Sequence, residues 1–354
     1  MNAALLYKAK DLRLEDVPGP DGSLGHDEVL IDIAGCGICG TDLHEYASGP
    51  ILTSHEPHPR TGASLPQILG HELAGTVVAV GSEVTRVAPG DRTTIMPALY
   101  CGTCAYCLRG MQPHCLSLGA VGLSYAWGGF AEQAVVAEYQ LTRLPDEVSL
   151  LEGALIEPTA VAVWAVEQSR VRPGSSVLVT GAGPIGGLVA LAAAAAGAAN
   201  IYVSEPNSAR REHAGRLGVS ETFDPAAVDL PEELRERTGG LGVDVAIECA
   251  GIEAALGACI ESVRAGGTIG QPSMHMRPAS VDALRLTTAG LTYVGTWCAP
   301  FYDFDRIVGL VASGRLPAKQ VVSSEIKLGD IIEQGFQQLL SPGTSQMKVV
   351  VHPL

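Results

Sequence analysis

Apolar residues in the first 35 positions fall into short alternating runs, at 2–7 and 28–34, separated by turns such as Pro18-Gly19-Pro20-Asp21-Gly22. Alternation with a period of two marks half-buried strands, and glycine and proline clusters end them. The same pattern returns at 75–80 and 133–137 and closes at Leu144-Pro145-Asp146, which predicts a small, mostly β domain. Inside it, residues 48–67 are polar and carry prolines at 50, 57, 59 and 66. That composition predicts an irregular loop, one that walls a pocket or crosses the surface.

From residue 159 the period changes. Residues 159–169 are helical in pattern, 176–180 are a short buried-strand run, an Ala/Leu-rich helix reaches about residue 196, and 200–204 form the next strand. Strand patterns at 243–248, 267–270 and 291–297 alternate with helical stretches at 253–263 and 282–288. Alternation of this kind builds a parallel, doubly wound sheet, so the fold class is α/β with a second, mostly β domain. Two more helical patterns, 304–313 and 331–340, and a strand at 347–352 complete the chain.

Residues 173–204 contain no charge, and 185–199 are almost wholly apolar. A membrane span is nevertheless a poor reading, because Gly181, Gly183 and Pro184 interrupt the run where a spanning helix needs continuity. Composition supports a buried soluble globule: 354 residues, 47% hydrophobic and 17% charged. A formal charge of −15 repels phosphate backbones and anionic lipid, so neither nucleic acid nor a membrane is an expected partner. Nine cysteines, an odd number, with no signal-peptide pattern predict a reduced, cytoplasmic setting, where clustered thiols point to metal.

Three constellations carry chemistry. Cys36-Gly-Ile-Cys39-Gly-Thr41-Asp42-Leu-His44 packs two thiols, a hydroxyl, a carboxylate and an imidazole into nine residues. With His71 and a glutamate, Cys39 would supply the three protein ligands of a catalytic zinc site. The second is Cys101, Cys104, Cys107 and Cys115 on a loop loosened by Gly102 and Gly110, the composition of a closed structural zinc site. The gap before Cys115 does not match ferredoxin runs, so zinc is favoured over an iron–sulfur cluster, and His114 is not needed as a ligand. The third is Gly181-Ala-Gly183-Pro184-Ile185-Gly186 between strand and helix, a dinucleotide fingerprint. Glu205, at the end of the next strand, suits the adenosine ribose hydroxyls and would repel a 2′-phosphate, so NAD is expected over NADP. Arg210 and Arg211 keep NADP open, since nearby arginines accommodate that phosphate.

These motifs, with Gly70-His71-Glu72 and Glu157-Pro158, give the chain a resemblance to the zinc-dependent medium-chain dehydrogenases along essentially its whole length. His44-Glu-Tyr46, Gly49-Pro50, His58-Pro59, Thr61-Gly62, Leu65-Pro66, Gly335-Phe336 and Lys348-Val-Val-Val351 make it most similar to the butanediol dehydrogenases among them. The resemblance implies a GroES-like catalytic domain at 1–157 holding both zinc sites, a Rossmann NAD-binding domain at 158–297, and a C-terminal segment, 298–354, completing the first. The active site would lie between the domains. Cys39 and His71 match the catalytic zinc ligands, and Glu157 stands where many alcohol dehydrogenases place a cysteine. Whether Glu157 ligates directly, through water, or in alternation with Glu72 stays open.

The implied reaction oxidises a vicinal diol to an acyloin or diketone, with sorbitol-like polyols as the alternative substrates and a non-catalytic dinucleotide-binding protein as the rival class. Zinc would polarise the substrate hydroxyl, Thr41 would hydrogen-bond its oxygen, and His44 would pass the proton to solvent through the cofactor ribose. Asp42 would support ligand geometry. Cys36 would be a packed neighbour of the site, while Trp127, Trp297 and Cys298 would shape the pocket or fill the core. The resemblance also implies a homodimer or homotetramer, with 291–297 as part of the interface.

Overall fold

The structure, a computed structural model, describes residues 1–353. The chain divides into two compact units: Met1–Glu157 with Pro300–Ser313 and the residues from Val322 onward, and Pro158–Ala299 with Gly314–Val321. The expected C-terminal segment thus contributes to both. Its residues Ala318 and Val321 are fully buried, and the Gln320 carbonyl lies 2.7 Å from the His213 ring of the second unit.

The first unit is built on a seven-stranded sheet whose central strand, Glu28–Gly37, pairs antiparallel with Glu72–Val80, Gln133–Ala137 and Lys348–His352. Register sets Gly37 opposite both Glu72 and Val350, so three distant stretches meet where the helix Gly40–Ser48 begins. Leu69, Leu73, Phe130, Phe336 and Val349 fill the core below. The Phe336 ring stacks edge-on with Tyr46, centroids 5.2 Å apart.

Two elements depart from the hydrophobic pattern. Val322–Lys327 is a strand, parallel to Lys348–His352, although only Ile326 of its six residues is buried. The stretch expected as one helix at 331–340 is wound with π geometry over Ile331–Gln337 before a short α turn, Gln338–Leu340. Wide turns of this kind seat a residue that a regular helix would hold away from its neighbour. Here Gly335 packs against Ile38: a Cβ at Gly335 would lie 2.8 Å from the Ile38 Cδ1 atom.

The second unit is a six-stranded parallel sheet in the order Glu221–Phe223, Asn200–Ser204, Ser176–Thr180, Val243–Glu248, Val263–Gln271, Thr292–Gly295. In chain order this is 3-2-1-4-5-6, and the direction of winding reverses at Ser176–Thr180, where open α/β sheets bind ligands. The uncharged run is explained by this strand and the 12-residue helix Pro184–Ala195, which is buried along most of its length. Among the described residues no helix is long and apolar enough to cross a membrane.

Candidate active site

The first unit's sheet delivers a metal-ligating cluster. Strand Glu28–Gly37 ends in a glycine because a Cβ there would collide with the Glu72 carboxylate. Two residues later Cys39 caps the helix Gly40–Ser48, its N–H donating to Asp42 Oδ2 at 2.9 Å. The Cys39 sulfur, a His71 ring nitrogen and a Glu72 carboxylate oxygen all lie within 4.8 Å of one another. Thiolate, imidazole and carboxylate are the donor types of catalytic zinc sites, and three of them leave a fourth position open. Asp42 Oδ1 sits 3.5 Å from His71 Nδ1, and both atoms are buried without a hydrogen bond. A carboxylate behind the imidazole is the usual brace for a metal-ligating histidine.

Charge accounts for the rest of the arrangement. Burial disfavours a charged His71, but Asp42 and Cys39 outweigh it and hold its pKa well above the ordinary imidazole value. Such a site attracts positive charge, whether a proton or a metal cation. Glu72 is fully buried and paired with Lys348, whose ammonium donates to its two oxygens at 2.8 and 2.5 Å and to the Ile38 carbonyl at 2.9 Å. Glu157 occupies the first turn of the helix Ile156–Gln168. Burial pushes its carboxyl up to about 7, in a field that includes His71, Glu72, Lys348 and Asp42. The sequence left the carboxylate open between Glu157 and Glu72; Glu72, the direct neighbour of His71, lies in the 4.8 Å cluster with Cys39 and His71.

Thr41 Oγ1 lies 3.7 Å from the Cys39 sulfur, and His44 is half-buried one turn along the same helix. Cys36 is fully buried beneath glycines 70 and 129, and burial raises its thiol well above the usual range, so it packs beside the cluster outside the ligand set. Trp127 packs against the first unit's core, and Trp297 belongs to the second unit, 39% exposed.

The four loop cysteines also converge, their sulfurs all within 4.8 Å of one another. Gly102 and Gly110, with φ of 72° and 74°, supply the left-handed turns that curl the loop. The Cys104 N–H donates to Cys101 Sγ at 3.2 Å and the Cys101 N–H to Cys115 Sγ at 3.3 Å. Backbone hydrogen bonds from Thr103 and Cys104 draw Cys101 down to about 5, while burial pushes Cys107 up to about 12. Four thiols that cannot all ionise alone fit a zinc ion that holds them as thiolates. His114 lies outside the group, its ring 6.2 Å from that of Tyr106.

In the second unit each fingerprint glycine has a distinct role. Gly181 takes φ +89° for the tight turn, Gly183 faces open space where a ligand can approach the backbone, and a Cβ at Gly186 would collide with the Gly181 carbonyl. Pro184 starts the helix, and Ile185 follows in its first turn. Glu205 is buried and ties this turn to the next loop, accepting from Ala182 N–H at 2.7 Å and Asn207 N–H at 2.9 Å. Each oxygen keeps a second lone pair for a hydroxyl donor. Arg211 is committed to the Glu205 and Pro206 carbonyls and to Asp224, whereas Arg210 is half-buried in the helix that Asn207 caps.

Comparison with known proteins finds two matching domains. The alcohol dehydrogenase GroES-like domain matches residues 25–146, and the zinc-binding dehydrogenase domain matches 184–313. The chain belongs to the zinc-binding dehydrogenase family. Like other zinc-binding dehydrogenases it is an oxidoreductase acting on CH–OH groups, with a GroES-like and a Rossmann domain and with zinc and a nicotinamide dinucleotide as cofactors. It is 37% identical to the (R,R)-butanediol dehydrogenase of Bacillus subtilis (strain 168) over the full length of both chains. The crystal structure of 2R,3R-butanediol dehydrogenase from Bacillus subtilis superimposes with a TM-score of 0.92, covering 100% of this chain and 99% of that one at 36% identity. Sorbitol dehydrogenase of Bacillus subtilis (strain 168) is 32% identical, over 100% of this chain and 97% of its own. A zinc-binding dehydrogenase from Sinorhizobium meliloti 1021 bound to NADP is 30% identical with a TM-score of 0.88, covering 99% of both.

Sequence reasoning missed Lys348 as the partner of Glu72. Its only signal was a lysine opening an otherwise apolar terminal strand, and the two residues are 276 positions apart.

Proposed function

We propose that this dehydrogenase interconverts a vicinal diol with an acyloin or diketone, of the 2,3-butanediol and acetoin kind, using NAD. The observation that carries the reading is the convergence of Cys39, His71 and Glu72 at the start of the helix that also bears Thr41 and His44. Cys39 and His71 would hold zinc with Glu72 or Glu157 as the carboxylate, and Cys101, Cys104, Cys107 and Cys115 would hold a second ion. When bound, the first zinc supplies Lewis acidity that eases loss of a hydroxyl proton. Thr41 orients the substrate oxygen by hydrogen bonding, and His44, half-buried one turn along, carries the proton outward. Lys348 balances the Glu72 carboxylate, which lets two acids and a thiolate share one buried site. Glu205 and the fingerprint support NAD, because a buried carboxylate committed to backbone amides opposes a 2′-phosphate.

Steady-state kinetics with NAD and NADP over stereopure butanediols, acetoin and sorbitol, with zinc counted on the same sample, tests this. We expect two zincs per chain and the highest kcat/KM for a butanediol with NAD, and Cys39→Ser to lose one zinc and nearly all turnover. Unchanged metal content and rate in that variant would refute the assignment. A sorbitol-like activity is the second reading, favoured by the 32% identity to sorbitol dehydrogenase, and the same panel separates it. NAD binding without NADH from any alcohol would restore the non-catalytic alternative.

The chain is further proposed to act in the cytoplasm as a homodimer or homotetramer. Among the described residues no disulfide joins any of the nine cysteines, which suits a reducing compartment. The sheet edge Thr292–Gly295 exposes Thr292, Tyr293 and Gly295, a surface on which a second copy could pair. Sedimentation of the zinc-loaded protein, with a proline at Tyr293 as control, reads that state.

A further inference from the structure

The strands on either side of Ser176–Thr180 both run into a buried glutamate: Glu205 follows Asn200–Ser204, and Glu248 ends Val243–Glu248. Glu205 ties the fingerprint turn to the next loop; Glu248 is fully buried and takes no part in the proposed reaction. A buried carboxylate persists only where donors surround it. Those of Glu248 come from two separate turns. Its Oε1 accepts the N–H groups of Ala250 at 2.8 Å and Gly251 at 2.9 Å, in the turn that follows its own strand. Its Oε2 accepts the Ser273 hydroxyl and lies 3.0 Å from His275 Nε2, in the loop that follows the neighbouring strand Val263–Gln271. One side chain thus ties together the carboxyl ends of two parallel strands.

The first of these turns is packed against the fingerprint. The Cys249 N–H donates to the Thr180 carbonyl at 2.9 Å, a Cβ at Gly181 would lie 3.0 Å from the Ala250 Cβ, and one at Gly186 would lie 3.5 Å from the Cys249 Cβ. The second turn closes on the first. Gly251, at φ +71°, has no room for a side chain, because a Cβ there would lie 2.7 Å from the Met274 carbonyl oxygen. Fixed from beneath, the turn is open on its outer side, where Ala250 is exposed and Ile252 is 55% exposed. A turn held rigid in this way, beside the glycines that admit a pyrophosphate, is placed to meet a ligand.

Strand order tells which part of the ligand it meets. In a sheet wound 3-2-1-4-5-6 a dinucleotide lies across the crevice at the first strand, and the acid after the second strand takes the adenosine ribose. The turns after the fourth and fifth strands, which Glu248 holds, are left for the other half. We propose that Glu248 is a positioning residue for the nicotinamide half of the cofactor, locking residues 249–251 and 273–275 into one surface that the adenosine half does not use. This rests on the NAD reading above.

The test is binding to the zinc-loaded protein, read without turnover. Glu248→Met keeps nearly the volume and removes both acceptor oxygens, so neither turn is tied. We expect NADH affinity, by fluorescence titration, to fall about tenfold or more, while 5′-AMP affinity, by calorimetry, stays within about twofold of wild type. Hydrogen exchange at the Ala250 and Gly251 amides should accelerate about tenfold or more. Ser273→Ala, which removes the hydroxyl tie alone, should move NADH affinity and exchange in the same direction by less, and it stands in if Glu248→Met does not fold. Equal losses for NADH and 5′-AMP would make Glu248 a support of the whole sheet end and overturn the proposal. Faster exchange with unchanged NADH affinity, or no change in any readout, overturns it too. A wild-type protein that binds NADPH and not NADH would instead sink the NAD reading, and NADPH against 2′,5′-ADP then carries the same comparison.

Discussion

Replacing Lys348 by methionine isolates the most consequential buried charge in the first unit. Its ammonium is 1% exposed and makes three contacts, two to Glu72 and one to the Ile38 carbonyl. Methionine fills nearly the same space but leaves the carboxylate and the carbonyl buried without a donor. Removing one member of a buried ion pair costs about 3–5 kcal/mol, because the survivor is left uncompensated. The stranded carbonyl places the expected value toward the upper end. For a domain of this size that corresponds to a melting temperature lower by roughly 6–20 °C. Two units can unfold separately, so a whole-chain midpoint would be ambiguous. Trp127 lies in the first unit while the other two tryptophans, Trp164 and Trp297, lie in the second. In a Trp164→Phe/Trp297→Phe background, fluorescence during denaturant unfolding then reports the first unit alone. Adding Glu72→Gln to Lys348→Met should recover stability, with a coupling energy of up to about 3 kcal/mol. A loss below about 1 kcal/mol in the single variant, or a double variant no better than the single, would refute the claim that charge compensation holds this corner together.

Cys104→Ser should lower zinc content from two ions to one and make the loop between Cys101 and Cys115 sensitive to protease, read by metal analysis and limited digestion; two retained zincs would contradict a closed four-thiolate site. Gly186→Ala should weaken NADH binding by at least about tenfold in fluorescence titration, because the new Cβ collides with the Gly181 carbonyl in the fingerprint turn. Asp244 offers a pH test. Burial works against its carboxylate, but the Ser176 amide and hydroxyl, each at 2.8 Å, and Arg264 at 2.7 Å outweigh it and hold its pKa below 3.8. A depressed folded value means stability that is complete above the unfolded pKa and lost as pH falls through the folded one. Asp244→Asn should therefore be about 1 kcal/mol less stable near neutrality, with the gap to wild type closing in acid. A gap that stayed constant on acidification would assign the loss to packing.

What the sequence revealed was local. The four-cysteine loop and the fingerprint declare themselves because their chemistry is written in spacings of two to eight residues, and the structure brings the four cysteines of that loop together. The Ser176–Thr180 strand and the helix after it were equally legible, since buried elements on both faces leave uninterrupted apolar runs. Edge elements were not: Asp11–Asp16 and Val322–Lys327 bury few side chains and so leave little hydrophobic signal. The candidate metal cluster lay between these extremes. Cys39 and His71 could be paired by residue type, but the choice between Glu72 and Glu157 depends on strand register and on Lys348, neither of which spacing encodes. Glu248 was visible only as the end of a strand, because it binds backbone amides, which have no sequence signature.

The position of Lys348 also constrains how the protein can be made. The lysine reaches back to Ile38, 310 residues earlier, and its strand inserts between Glu28–Gly37 and Val322–Lys327. Synthesis is vectorial, so the ribosome must pass residue 348 before Glu72 meets its counter-ion. Until then the nascent first unit carries an unneutralised acid beside the Cys39 and His71 pair and a gap in its central sheet. The second unit's six parallel strands, encoded between residues 176 and 295, pair without that strand, and the unit is complete once Gly314–Val321 has also been made. Any fusion or truncation that delays the final strand should therefore trap a chain whose cofactor domain is finished and whose catalytic corner is not.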